Sequence, residues 1–176
     1  MQILDRKTAP EIFPINEINF IEPQKSTLSN GIPLFIVNAG SQDVVKIQFL
    51  FNAGTIFQSK PLTAFITSKM LTEGTKSHSA HEIADIFDFC GAFIEAEADK
   101  DFAVVNLYLL TKYTEQLLSL LEEIVKNPTF PKDELETLMQ NKKQEFIVNN
   151  EKVSTIARTK FNEIIFGENH PYGKNA

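Results

Sequence analysis

The side chains best suited to chemistry in this chain are few: three histidines, one cysteine and a scatter of carboxylates among 176 residues. Two of the histidines stand close together, in His78-Ser79-Ala80-His81-Glu82. Imidazoles three residues apart, followed by a carboxylate, could ligate a divalent metal and activate its bound water. The same stretch carries Ser79 with Glu82 three residues later, which is the pattern of a capping box. A helix opening there leaves both histidines around its start, as solvated loop groups and not as a ligand pair. His170, in His170-Pro171-Tyr172-Gly173, reads as support for a turn. Cys90 follows the apolar Ile86, Phe87 and Phe89 and reads as core filler, not as a nucleophile. No nucleophile-histidine-acid set and no glycine-rich phosphate loop is visible.

Composition narrows the classes further. A net charge of -6, with acids and bases mixed along the length, lacks the clustered Lys and Arg of a nucleic-acid surface. One cysteine excludes an internal disulfide. The first residues form no apolar signal segment, and no apolar run reaches membrane length. The chain is therefore expected to be soluble and cytoplasmic, or periplasmic if a signal peptide has been removed.

The elements that must position any site follow from periodicity. Pro10, Pro14 and Pro23 suit an extended lead-in over 1–25. Asn30-Gly31 predicts a turn between a short strand and the alternating Ile32, Leu34 and Ile36. Asp43 to Phe51 repeats the strand pattern, with Val45, Ile47 and Phe49 on one face. Pro61 predicts a helix start, Leu62, Phe65, Ile66, Lys69 and Met70 continue at helical spacing, and Gly74 stops it. A second helix runs from the Ser79 cap to Gly91, and strands follow at Phe93 to Ala98 and Phe102 to Leu110. Three helices close the chain. Tyr113 to Val125 ends at Asn127-Pro128. Pro131 opens the next, with Leu135, Leu138, Met139 and Phe146 inward. The last runs from about Ser154 to Phe166. This grouping predicts an α+β fold, with helices laid on one face of an antiparallel sheet.

The order of short motifs goes further than periodicity. Leu28-Ser29-Asn30-Gly31-Ile32, Asn52-Ala53-Gly54-Thr55, Gly74-Thr75, and Gly91-Ala92 with Glu95-Ala96-Glu97-Ala98 follow one another, then Asn127-Pro128-Thr129-Phe130 and His170-Pro171-Tyr172-Gly173. Together the segments resemble the insulinase, pitrilysin and mitochondrial-processing-peptidase family, the inverted zincins, from residue 28 to residue 173. The resemblance implies an incomplete N-terminal peptidase-like half-domain over 26–176. It also implies that the substrate-contacting residues of the family fall outside this sequence.

In that family the first helix carries H-x-x-E-H, two imidazoles for zinc and a glutamate as general base, with a distal glutamate completing the ligands. The matching positions here are Phe65, Ile66, Thr67, Ser68 and Lys69. A phenyl ring has no ligand atom, a serine is no base at neutral pH, and a lysine is cationic. Glu145, 76 residues after Lys69, falls at the distal-ligand position. In a zinc-bearing relative those two positions converge on one ion, each about 2 Å from it. Lys69 is therefore expected to replace the metal's charge and pair with Glu145. The resemblance implies no zinc in this chain. It points to a non-catalytic subunit, sharing a peptide-binding chamber with a zinc-bearing homologue. The alternatives are an active zinc endopeptidase using His78, His81 and Glu145 as substitute ligands, and a purely structural subunit. Peptides in relatives add as a strand to an exposed sheet edge.

Overall fold

Asn30-Gly31 reverses the chain, as its turn chemistry predicts. Gly31 takes the left-handed conformation at φ 84°, and the Asn30 side chain accepts a hydrogen bond from the Ile32 amide at 3.1 Å. The turn joins strands β1 (Gln24–Thr27) and β2 (Pro33–Ile36), which pair antiparallel with Thr27 opposite Pro33. The computed structural model describes residues 9, 11–14 and 20–173. Of the expected lead-in, Pro10 lies outside the described residues, while Pro14 and Pro23 belong to neither helix nor strand. The hairpin falls in the first of two compact units, Met1–Gln42, and the rest of the chain forms the second, Asp43–Ala176.

Among its described residues the second unit holds three further strands and five α-helices. They are β3 (Val44–Phe51), α1 (Thr63–Met70), α2 (Ala80–Cys90), β4 (Phe93–Ala98), β5 (Ala103–Leu110), α3 (Thr114–Lys126), α4 (Lys132–Asn150) and α5 (Val153–Phe166). The three strands form one antiparallel sheet in the order β3-β5-β4, so β5 is central and β4 is an edge. Alternation along β5 buries Val105, Leu107 and Leu109 together. Ile83, Phe87 and Cys90 of α2 and Leu117, Leu120, Leu121 and Ile124 of α3 complete that core. Full burial of each large aliphatic side chain stabilises by roughly 1.5–3 kcal/mol. The fold is α+β, and Cys90, at 2% exposure, is core filler as read.

Caps and breaks fall where the residue chemistry predicts, with two exceptions. Ser79 accepts from the Glu82 amide while the Glu82 carboxylate accepts from the Ser79 amide, so the capping box closes. Gly91 ends α2 at φ 58°. The first exception is α1, which is shorter than the span from Pro61 to Gly74. Leu62 adopts a left-handed conformation at φ 67°, so Pro61 lies outside the first turn. Gly74 belongs instead to a bridge with Ser79. The second exception is α4, which buries no residue, and Met139 and Phe146 are 41% and 59% exposed. Both line a cavity of about 670 Å³ that also touches Thr155 and Arg158 of α5 and Leu62.

Two junctions hold the second unit in shape. In the first, the exit of α1 is fastened to the entry of α4. Thr75 bridges Pro128, the Thr129 amide donates to the Gly74 carbonyl at 3.0 Å, and the Lys76 amide donates to the Asn127 carbonyl at 3.3 Å. In the second, the corner after β3 docks on the β4–β5 turn. The amides of Gly54, Thr55 and Ile56 donate to the carbonyls of Asp101, Asp99 and Lys100. The same turn receives the Tyr172 hydroxyl on the Asp101 carboxylate at 2.5 Å. Among the described residues, no helix is long and apolar enough to cross a membrane.

Candidate functional site

The α1 face expected to carry the chemistry lies against α4 and beside β4. Phe65 is half-buried, Ser68 is buried at 4% exposure, and Lys69 is exposed. The Lys142 ammonium lies 4.2 Å from the centroid of the Phe65 ring, a cation–π contact between α4 and α1. One turn on, Glu145 takes that same ammonium at 3.0 Å and accepts a second hydrogen bond from the Asn149 side-chain Nδ2 at 3.3 Å.

Lys69 and Glu145 therefore do not pair, contrary to the expectation from their spacing. Lys69 instead meets Glu97 of β4 at 3.9 Å. Its side chain is drawn to the neighbouring edge strand, while Glu145 finds a cation three residues away on its own helix. That local pairing needs no reach between elements. The Lys69–Glu97 contact is long and both side chains are well exposed, so it adds little to stability. Lys142 lies outside the motif positions of the first helix and the distal glutamate position. Its i, i+3 spacing to Glu145 was the available signal.

These residues do not fit a zinc ion. The two positions that would supply imidazoles offer a hydrocarbon ring, faced by an ammonium, and a second ammonium. Both oxygens of the one carboxylate in place, Glu145, are already engaged. The substitute ligands are not brought together either. His78 Nδ1 lies 3.1 Å from Glu123, and His81 Nδ1 lies 3.4 Å from Asp85 on its own helix. Among the described residues, no group of three or more His, Cys, Asp or Glu side chains could hold a metal ion. His170 does support a turn, accepting from the Tyr172 amide at 3.2 Å and stacking on Phe166.

The loop with His78 is instead a clamp between the α1–α2 connection and α3. The Thr75 hydroxyl donates to Glu123 at 2.7 Å and the Ser77 amide to the same oxygen at 3.0 Å. These bonds, that from Thr75 foremost, hold the Glu123 carboxyl below its ordinary pKa, with the charge of His78 adding least. A carboxyl depressed in the folded state stabilises above its unfolded pKa and loses that contribution as pH falls through its folded one. Thr75→Val is therefore expected to be less stable than the parent near pH 7, with the difference shrinking as pH falls through the lowered pKa of Glu123. Urea midpoints followed across pH read this out, and parallel curves would count against it.

A cleft of about 440 Å³ opens beside Ser68 and Lys69, between α1, β4 and α4. Glu73, Glu95, Glu97 and Glu134 line it, and partial burial, with the charge of Glu134, raises the pKa of Glu73.

Comparison with known proteins agrees with this architecture. A solved structure described as a peptidase M16 inactive domain from Pseudomonas fluorescens is 28% identical and superposes with a TM-score of 0.79, over 87% of this chain and 38% of its own. An uncharacterized zinc protease of Rickettsia bellii is 24% identical over 151 residues, which is 85% of this chain and 36% of the relative. The mitochondrial-processing peptidase subunit alpha-1 of Dictyostelium discoideum is 30% identical over 112 residues, 62% of this chain and 17% of the relative. The chain thus spans little more than a third, or less, of the relatives it matches. The model of the insulinase family, peptidase family M16, matches residues 35–173, and the chain belongs to that family.

Proposed function

We propose that this chain is a non-catalytic member of its family and serves as a partner subunit. In this reading it helps to form a peptide-binding chamber with a homologue that carries the zinc. The observation that carries the reading is the α1 face, where Phe65, Ser68 and Lys69 stand in place of two imidazoles and a base. Lys142 deepens it. Its ammonium, the more buried partner of the pair, neutralises the exposed Glu145 where a relative would use the metal's charge. Two similar proteins, one described as a processing-peptidase subunit and one as an inactive domain, support the same view. The strand offered to a peptide is β4, an edge strand that runs beside the altered helix.

Metal analysis of the purified chain, together with cleavage assays on mixed peptides, tests the proposal. The expected result is substoichiometric zinc and no cleavage above background. Cleavage abolished by a chelator and by Glu145→Ala would overturn it. Co-purification from native cells is expected to bring down a homologue with an intact H-x-x-E-H. A chain consistently isolated alone would favour a purely structural role.

A further inference from the structure

Asn30 is the one asparagine of this chain that precedes a glycine. That pairing makes the turn between β1 and β2, and it also sets a nucleophile beside an electrophile. The Gly31 backbone nitrogen, carried by a residue with no β-carbon to shield it, adjoins the Asn30 side-chain carboxamide. Attack of that nitrogen on Asn30 Cγ closes a five-membered cyclic imide. The side-chain nitrogen leaves as ammonia, with the Gly31 amide proton passing to it through solvent. Water then opens the ring at one of its two carbonyls. Opening at Cγ gives aspartate, and opening at the backbone carbonyl gives isoaspartate. The step consumes only water and releases only ammonia.

The hairpin governs when this chemistry is open to the chain. Asn30 and Gly31 are both exposed. In the closed turn, however, each reacting group is tied. The Gly31 amide donates to the Leu28 carbonyl at 2.9 Å, and Asn30 Oδ1 accepts from the Ile32 amide at 3.1 Å. Closure therefore holds the reaction back, and opening releases it. β1 and β2 are four residues each, are exposed along nearly all their length, and pair only with one another among the described residues. A two-stranded hairpin of this kind is marginally stable in water, so it opens readily.

We infer that Asn30 is a site of spontaneous covalent modification, which converts the turn to an aspartyl or an isoaspartyl form at a rate set by opening of the β1–β2 hairpin. Either product adds one negative charge. Aspartate keeps the backbone path, and its carboxylate still accepts from the Ile32 amide. Isoaspartate routes the chain through the side-chain carbon and adds one backbone atom at the turn. Thr27 then no longer meets Pro33 in the present register, and the hairpin unties.

The test holds the purified chain in mildly alkaline buffer and follows its tryptic segment Ser26–Lys46 by mass spectrometry over days. Residue 30 is expected to gain the difference in mass between water and ammonia before any other asparagine, with fragmentation separating it from Asn38 in the same segment. A hairpin open about one-tenth of the time holds the reaction to about a tenth of its rate in a synthetic peptide of that segment. Phe35→Gly removes the ring that lies 5.8 Å from Lys25 Nζ and weakens β2, so it should bring the rate in the chain up towards that in the peptide. Asn30→Gln should leave residue 30 unaltered, because the ring to be closed is one atom larger. The Leu28 amide donates to the Ile32 carbonyl at 2.8 Å, and in the isolated isoaspartyl form its hydrogen exchange should speed by about tenfold. An Asn30 that stays intact while another asparagine reacts first would overturn the assignment. One rate shared by the chain, Phe35→Gly and the peptide would overturn control by the hairpin. Unchanged Leu28 exchange in the isoaspartyl form would overturn the untying.

Discussion

A chain carrying Phe65→His, Ser68→Glu and Lys69→His is expected to bind zinc poorly, and to bind it about 100-fold more tightly once Lys142→Ala is added. The three substitutions restore two imidazoles one helical turn apart and the general base between them. They leave the Lys142 ammonium on Glu145 at 3.0 Å, facing residue 65. A divalent cation would have to displace that ammonium while feeling its charge at close range. The space for a longer side chain at 68 exists, because Ser68 borders the cleft. Calorimetric titration of both variants with zinc measures the difference. Equal affinities would mean that Lys142 does not guard the position, and tight binding by the triple variant would assign the loss of metal to α1 alone.

Gly54→Ala is expected to destabilise the chain by more than about 3 kcal/mol. An added Cβ would fall inside the backbone of Lys100 and Asp101, where no side-chain rotation could relieve it. The corner would have to lift off the β4–β5 turn, and the three amide-to-carbonyl bonds that dock it would go with it. Gly31→Ala is the useful contrast. Its added Cβ meets no atom within 4 Å, so its cost is confined to the backbone strain of φ 84°. Chemical denaturation of both variants compares them. A Gly54→Ala chain as stable as the parent would show that this docking contributes little.

Both results bear on how much of the molecule could be read from residues alone. The capping box at Ser79 and Glu82, the turn at Asn30-Gly31 and the break at Asn127-Pro128 act within a few residues, so local chemistry determines them. Periodicity likewise separated the strands from α2 and α3, whose apolar stripes meet one core. It failed at α4, where Met139 and Phe146 keep a helical spacing but line a cavity, because periodicity marks a face and not what covers it. The altered zinc positions were legible from spacing. Their partners were not, since the choice of Glu97 over Glu145 for Lys69 depends on which way a long side chain leans between elements. Nor does a motif list show that its members meet. Gly74-Thr75 closes on Pro128-Thr129, and the segments at 52–55 and 170–173 converge on one turn through long-range contacts.

The fastening of Gly74-Thr75 to Pro128-Thr129 also dictates how the helices can part. It holds the end of α1 and the beginning of α4 together, like the spring of a clothes-peg. The jaws are then Leu62 on one arm and the stretch from Lys142 to Asn150 on the other, and any rocking of α4 against α1 is amplified there and damped at the hinge. Glu73 and Glu134 sit by the spring, where the gap hardly changes, while the Phe65–Lys142 contact lies out along the arms as the catch that a spreading motion must release first.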